Sequence, residues 1–145
     1  EFKPNLDKKK LTVRNNLNEN TKVMADEAAL KLILTNFLSN AIKHSPKKAL
    51  INLAESSSSK GFIRLSVSDE GKGVPKKYKE RVFERFYRID KGRSSETGGT
   101  GLGLSISKNL ALMMGYSVGV EANEPKGATF FIDIKVDEEK SIQAA

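Results

Sequence analysis

At 145 residues, 38% hydrophobic and 30% charged, the chain is long enough to bury one core and has the balance of a soluble globular domain. It has no cysteine and one histidine, His44, which excludes a disulfide framework, a thiolate metal site and a multi-histidine metal centre. No apolar run approaches the ~18 residues of a membrane span, no signal-peptide pattern opens the chain, and a cytoplasmic location is expected. The formal charge of +7 suits a polyanionic ligand. The Lys8-Lys9-Lys10 run reads more simply as a solubilising surface. No basic stripe interleaved with aromatics is present, so no nucleic-acid partner is expected.

In chain order, residues 1–10 are polar and read as a linker or the end of an upstream segment. Leu11 to Leu17 and Thr21 to Ala25 read as two short strands about a polar turn at Asn18-Glu19-Asn20. Asp26 is a suitable N-cap. From Glu27 to His44 the pattern is helical, with Leu30, Leu34, Phe37, Leu38 and Ala41 on one face and Pro46 as the stop. Ala49 to Ala54 and Phe62 to Val67 read as strands separated by a serine-rich loop. Asp69 to Pro75 is a tight loop, and Lys76 to Phe86 reads as a short helix. Tyr87 to Gly99 is aperiodic and polar and reads as a mobile loop. A helix then runs to Met114 with Gly115 as its C-terminal stop. Strands at about Ser117–Glu121 and Ala128–Val136 flank a turn at Asn123–Gly127. Helices interspersed with paired strands predict α/β layers with a mixed sheet.

Four stretches carry candidate chemistry, each with a plainer alternative. Thr97 to Leu104 packs four glycines into six residues and opens a helix. Missing Cβ atoms and unpartnered N–H groups at a helix start suit phosphate; the alternative is an ordinary flexible loop. Leu104 replaces the third glycine of G-x-G-x-x-G, and no G-x-x-x-x-G-K-[ST] occurs. Asn36, Asn40 and Lys43, spaced by four and three residues, share a shoulder of the first long helix. Amide oxygens are hard ligands suited to a Mg²⁺–phosphate group, with Lys43 neutralising charge and His44 beside it; the alternative is a solvated shoulder. Asp69-x-Gly71-x-Gly73 follows a strand. Its carboxylate can accept the exocyclic amine of adenine while glycines let the base approach; the alternative is a loop-capping aspartate. Phe83 to Arg88 sets aromatics before the loop, and Arg88 stands either at a terminal phosphate or as a surface charge.

In this order and with these gaps, the four stretches closely resemble the catalytic, ATP-binding domain of bacterial sensor histidine kinases. Leu34 to His44 is similar to their N box and Asp69 to Gly73 to the first glycine box. Phe83 to Arg88 is similar to the F box and Gly99 to Leu104 to the second glycine box. The resemblance covers about residues 20–136, and the loop from Phe83 to Gly103 most resembles the phosphate-regulation type.

The resemblance implies a Bergerat ATP-binding fold, a two-layer α/β sandwich of a mixed sheet on three helices with an ATP lid. It implies that Asn40 ligates Mg²⁺, with Asn36, Lys43 and His44 near phosphate. Asp69 would bind the adenine amine, with Gly71 and Gly73 beside the base. Arg88 would reach toward the γ-phosphate, and Gly99, Thr100, Gly101, Leu102, Gly103 and Leu104 would close over the phosphates. Thr129 matches a polar residue near the adenine aspartate. Met113-Met114-Gly115-Tyr116 replaces a usual histidine and two glycines, and Asp133 to Val136 lacks a closing proline; neither falls on a ligand position.

Residues 1–10 are then expected to be a linker from an upstream helical hairpin carrying the phosphoacceptor histidine, 11–136 the catalytic domain and 137–145 a tail. The implied partners are that hairpin and a response regulator. The domain itself is expected to be monomeric, its parent a homodimer and membrane-anchored. Superfamily members that hydrolyse ATP carry, by the same resemblance, a glutamate where this chain has Asn36. Three functions stay open: a histidine kinase catalytic domain, a hydrolytic ATPase, and a nucleotide-binding module without chemistry.

Overall fold

The computed structural model describes residues 3–18, 20–85 and 103–137. Its elements are α1 (Lys3–Lys9), β1 (Thr12–Asn16), α2 (Glu27–His44), β2 (Leu50–Ser57), β3 (Phe62–Ser68), α3 (Gly103–Met113), β4 (Ser117–Ala122) and β5 (Ala128–Lys135). The strands form one sheet in the order β1-β2-β3-β5-β4. β1 and β2 run parallel, because α2 carries the chain across between them, and the other pairs are antiparallel. This is the expected mixed-sheet α/β sandwich.

α2 packs on β3 and α3 on β4, with the two helices against one another. Alternation along β5 sends Phe130, Ile132 and Ile134 into the core, where they meet Ile33 and Phe37 of α2 and Ala111 of α3. Phe130 is the centre of an aromatic cluster: Phe37 lies 5.8 Å away and Phe83 lies edge-on at 6.0 Å.

Local signals account for the helix ends. Asp26 caps α2 by accepting the N–H of Ala29 at 2.8 Å. At the end of α3, Gly115 has φ +81°, donates to Leu112 O, and Tyr116 N donates back to Ala111 O, closing a Schellman motif.

Four expectations need correction. Residues 1–10 are not simply a polar linker, since Lys3–Lys9 is helical and Leu6 packs against the core. Thr21 to Ala25 forms only a single bridge, Val23 with Val136. The cause is that β5 is paired on both sides by β3 and β4, and only its end past the Ser117–Asp133 pair has a free edge. β2 continues through Ser57, because pairing with Ile63 overrides the weak strand preference of serine. The segment from Lys76 is not one helix but two 3₁₀ turns, Lys76–Tyr78 and Arg81–Phe83, with the second drawn in by burial of Val82 and Phe83. The expected loop from Tyr87 to Gly99, and Phe86 before it, lie outside the described residues.

Candidate nucleotide site

The site begins where β3 runs out. Asp69, the first residue past Ser68, is 2% exposed. Its Oδ1 accepts the main-chain N–H of Gly71 at 2.8 Å and of Ala128 at 3.2 Å. Among the described residues no hydrogen bond reaches Oδ2, so one oxygen is held and the other is left for a ligand. Burial pushes the Asp69 carboxyl above the ordinary carboxylate range; the two N–H groups and the nearby His44 pull it back without cancelling that effect.

The aspartate is also clamped through its main chain. Asn123 Nδ2 donates to Asp69 O at 2.7 Å. Gly127, at φ +104°, packs so closely that a Cβ there would lie 1.9 Å from the same carbonyl oxygen, so no other residue fits without moving the loop. Gly73 faces the carbonyl of Gly127 from the other side of the turn.

The second wall is the end of α2. Pro46 cannot continue the helix, so its last turn carries Asn40, Lys43 and His44, the first two half-buried and His44 exposed. This turn meets the Asp69 loop main chain to main chain: a Cβ on Gly71 would sit 2.3 Å from His44 O. The close approach explains why glycine stands at 71 and joins the α2 residues to Asp69 in one site. The Asn40 amide makes no hydrogen bond with a described residue.

Asn36, one turn earlier, is more committed than its sequence suggests. Its Nδ2 donates to Gly103 O and to Ser107 Oγ, both at 3.1 Å, and Ser107 Oγ donates to Gly103 O at 3.1 Å. Asn36 therefore ties α2 to the first turn of α3 and keeps only its carbonyl oxygen for a ligand. Gly103 and Leu104, the first residues of α3, lie beside this tie.

Thr129 is not brought to Asp69. The alternation that buries Phe130 turns Thr129 to the opposite sheet face, where its hydroxyl is 2.8 Å from that of Ser68. The neighbour that does reach Asp69 is Ala128, through its main-chain nitrogen. Arg88, Gly99, Thr100, Gly101 and Leu102 lie outside the described residues. Asn123, Gly127 and Ser107 join the site without having been candidates. The strand-turn-strand signal at Asn123–Gly127 pointed to their neighbourhood, whereas a main-chain donor such as Ala128 N has no signature in side-chain types.

Among the described residues no group of three His, Cys, Asp or Glu could hold a metal ion. The donors on offer are amide oxygens on α2, which suit a Mg²⁺ that arrives with phosphates and keeps water in its remaining positions. A separate cavity of about 170 Å³ lies on the other flank of α2, between Leu34, Leu38, Leu53 and Leu65. Lys31, Thr35 and Ser66 also line it, and none of the residues expected at the nucleotide does.

A buried strand-end aspartate, an asparagine-bearing helix and a second helix tied to it are the frame of a known ATPase class. The chain belongs to the family of histidine kinase-, DNA gyrase B- and HSP90-like ATPases, whose model matches residues 25–138. It is 36% identical to sensor histidine kinase WalK of Bacillus subtilis over 129 residues, covering 88% of this chain and 21% of WalK. The chain thus spans about a fifth of that relative. The crystal structure of full-length ShkA in complex with AMPPNP matches with a TM-score of 0.78 and 32% identity, over 93% of this chain and 27% of ShkA. Histidine kinase ThkA, solved in complex with the response regulator TrrA, matches with a TM-score of 0.74 and 26% identity, over 96% of this chain and 38% of that one.

Proposed function

We propose that this chain binds MgATP between α2 and α3 and supplies its γ-phosphoryl group to a histidine on a separate phosphoacceptor hairpin, as the catalytic part of a two-component sensor kinase. The observation that carries the reading is Asp69, buried, held on Oδ1 by two main-chain donors and open on Oδ2. Adenine offers an exocyclic amine to that oxygen, whereas guanine would offer a carbonyl oxygen and be repelled. The comparisons support the reading, since WalK is a sensor histidine kinase and ShkA was solved with an ATP analogue. The ThkA complex supports a response regulator as downstream partner. A homodimeric, membrane-anchored parent is part of the same proposal.

Asn40 would hold Mg²⁺ through its amide oxygen, and the bound ion would neutralise phosphate charge. Lys43 adds a positive charge on the same turn, and Arg88 is assigned to the γ-phosphate. Asn36 decides between transfer and hydrolysis. A hydrolytic ATPase needs a base within reach of its water. An amide has no useful basicity, and the nitrogen of this one is already spent on Gly103 and Ser107. The γ-phosphorus is then kept for an imidazole nitrogen: the N–P bond forms, the bond to the β,γ-bridging oxygen breaks, and ADP leaves.

Radiolabelled γ-phosphate tests both halves. The chain alone is expected to release negligible phosphate, and adding a cognate helical hairpin in trans is expected to give acid-labile phosphohistidine on the hairpin. Brisk phosphate release abolished by Asn40→Ala would favour the ATPase, and label on this chain lost in His44→Ala would overturn the assignment of the acceptor.

A further inference from the structure

The last turn of α2 has a second neighbour besides the Asp69 loop. Helix α2 stops at Pro46, which has no N–H to give to the carbonyl of Ile42 four residues back. The helix end therefore presents unpartnered carbonyls and the negative end of its dipole. Lys9, at the end of α1, fills that place. Its Nζ donates to Ile42 O at 2.9 Å, to Lys43 O at 3.0 Å and to Ser45 O at 3.0 Å. All three ammonium donors are used, and all on one turn. Ser45 Oγ supplies the matching bond to Ala41 O at 2.6 Å.

α1 is fastened there by more than its lysine. Lys9 O accepts Lys48 N at 2.8 Å, Thr12 N donates to Ala49 O at 3.1 Å, and Leu6 packs on the core. The turn that carries Asn40, Lys43 and His44 is thus gripped on one side by Lys9 and pressed on the other by Gly71 against His44 O. A shift of this turn displaces the phosphate-side residues and the Gly71–Asp69 loop together.

We infer that Lys9 is a positioning residue for the nucleotide site, holding the turn of α2 that carries Asn40, Lys43 and His44. The inference rests on the proposed nucleotide binding and adds a residue outside the site on which its affinity depends. Lys9 touches no nucleotide. Its effect passes through main-chain carbonyls, so it depends on the ammonium being present and not on its side-chain volume.

The test is titration of a non-hydrolysable ATP analogue with Mg²⁺ into the whole chain, as wild type, Lys9→Met and Lys9→Arg. Each is held at a temperature where circular dichroism shows it folded. Lys9→Met keeps the length and loses the charge, and is expected to weaken binding about fivefold or more, the low end of ordinary site-to-site coupling. Lys9→Arg keeps the charge and donors and is expected to stay within about twofold. In the nucleotide-free Met variant, amide NMR signals of Asn40, His44 and Gly71 are expected to move while those of β4 stay. Should the Met variant fail to fold, Lys9→Gln serves in its place, an intermediate loss supporting the inference and wild-type affinity overturning it. Wild-type affinity in folded Lys9→Met overturns the inference and leaves the nucleotide site standing. A wild-type chain that takes no nucleotide overturns the function and the inference with it.

Discussion

Asp69 and Asp133 sit on or beside adjacent strands, and the fold treats their charges in opposite ways. Asp69 is 2% exposed and is held by main-chain N–H groups on a single oxygen. The Asp133 side chain is 21% exposed, on the sheet face turned away from α2 and α3, and Arg64 saturates it: Nε to Oδ1 at 2.8 Å and Nη2 to Oδ2 at 3.0 Å. Burial raises the carboxyl of Asp69, whereas the hydrogen bond to Asp133 raises the guanidinium of Arg64. A carboxylate meant for stability is given an opposite charge and left near water. The carboxylate proposed for a ligand is buried, aimed by main-chain N–H groups and left with one oxygen to spare. That costs stability in the empty protein, and the cost separates the two aspartates experimentally.

The largest expected effect falls on Asp69. Asp69→Asn keeps the shape and removes the charge, and should weaken ATP binding by the ~1.5–3 kcal/mol of a charge-assisted hydrogen bond. Calorimetric titration measures it, and equal affinities would take Asp69 out of the site.

Acidity should give a smaller, graded version of the same contrast. With its folded-state carboxyl raised above the unfolded value, Asp69 is protonated in both states in strong acid, and its contribution to stability is fully present there. That contribution is lost as pH rises through the raised folded value, because the folded state must then hold a desolvated charge. Near neutrality the empty wild-type domain should therefore lose ground to Asp69→Asn in thermal melts, and regain it on acidification. ATP binding should run the other way, since adenine needs the carboxylate: the wild-type advantage over Asp69→Asn should shrink as pH falls. Taking the ratio of the two proteins cancels titration of the nucleotide itself. A pH-independent ratio would mean that the charge of Asp69 is not what ATP reads.

Much of this contrast was legible in the sequence, and the reason differs by element. α2 ends where expected because both its signals, Asp26 before it and Pro46 after it, act within a turn of the helix. At Asp69 the sequence leaves two readings open: its Oδ1 accepts the N–H of Gly71, as a loop cap does, and the adenine role belongs to the proposal. The face of Thr129 was misjudged because proximity to Asp69 in space depends on the β3–β5 register, which pairs Thr129 with Ser68. From the sequence α1 reads as a linker or the end of an upstream segment, because its anchors, Leu6 on the core and Lys9 on α2, are tertiary. The tie from Asn36 to Ser107 joins residues 71 apart in the chain, and nothing local announces it.

The smallest expected effect is at Asp133, and it tests whether the two aspartates are truly separate. Arg64 and Asp133 are direct cross-strand partners of β3 and β5, so they meet without any loop having to order. The guanidinium carbon also lies 3.7 Å from the centre of the Phe131 ring, and Glu121 approaches Nη1 at 3.6 Å. With one partner removed, Arg64 keeps the ring, Glu121 and water, so no charge is stranded in the core. Asp133→Asn should therefore cost only the ~0.2–1 kcal/mol of a solvent-accessible pair. In a double-mutant cycle with Arg64→Met the coupling should fall in the same range, while ATP affinity stays at the wild-type value in all three variants. The alternation of β5 is what insulates the site: Asp133 points away from the helices that build it, and Ala128, which serves Asp69, contributes only main chain. An Asp133→Asn protein that melts normally but loses ATP binding as severely as Asp69→Asn would show that the sheet face turned away from α2 and α3 is coupled to the nucleotide, and the distinction between a stabilising and a ligand-directed carboxylate would fail for this fold.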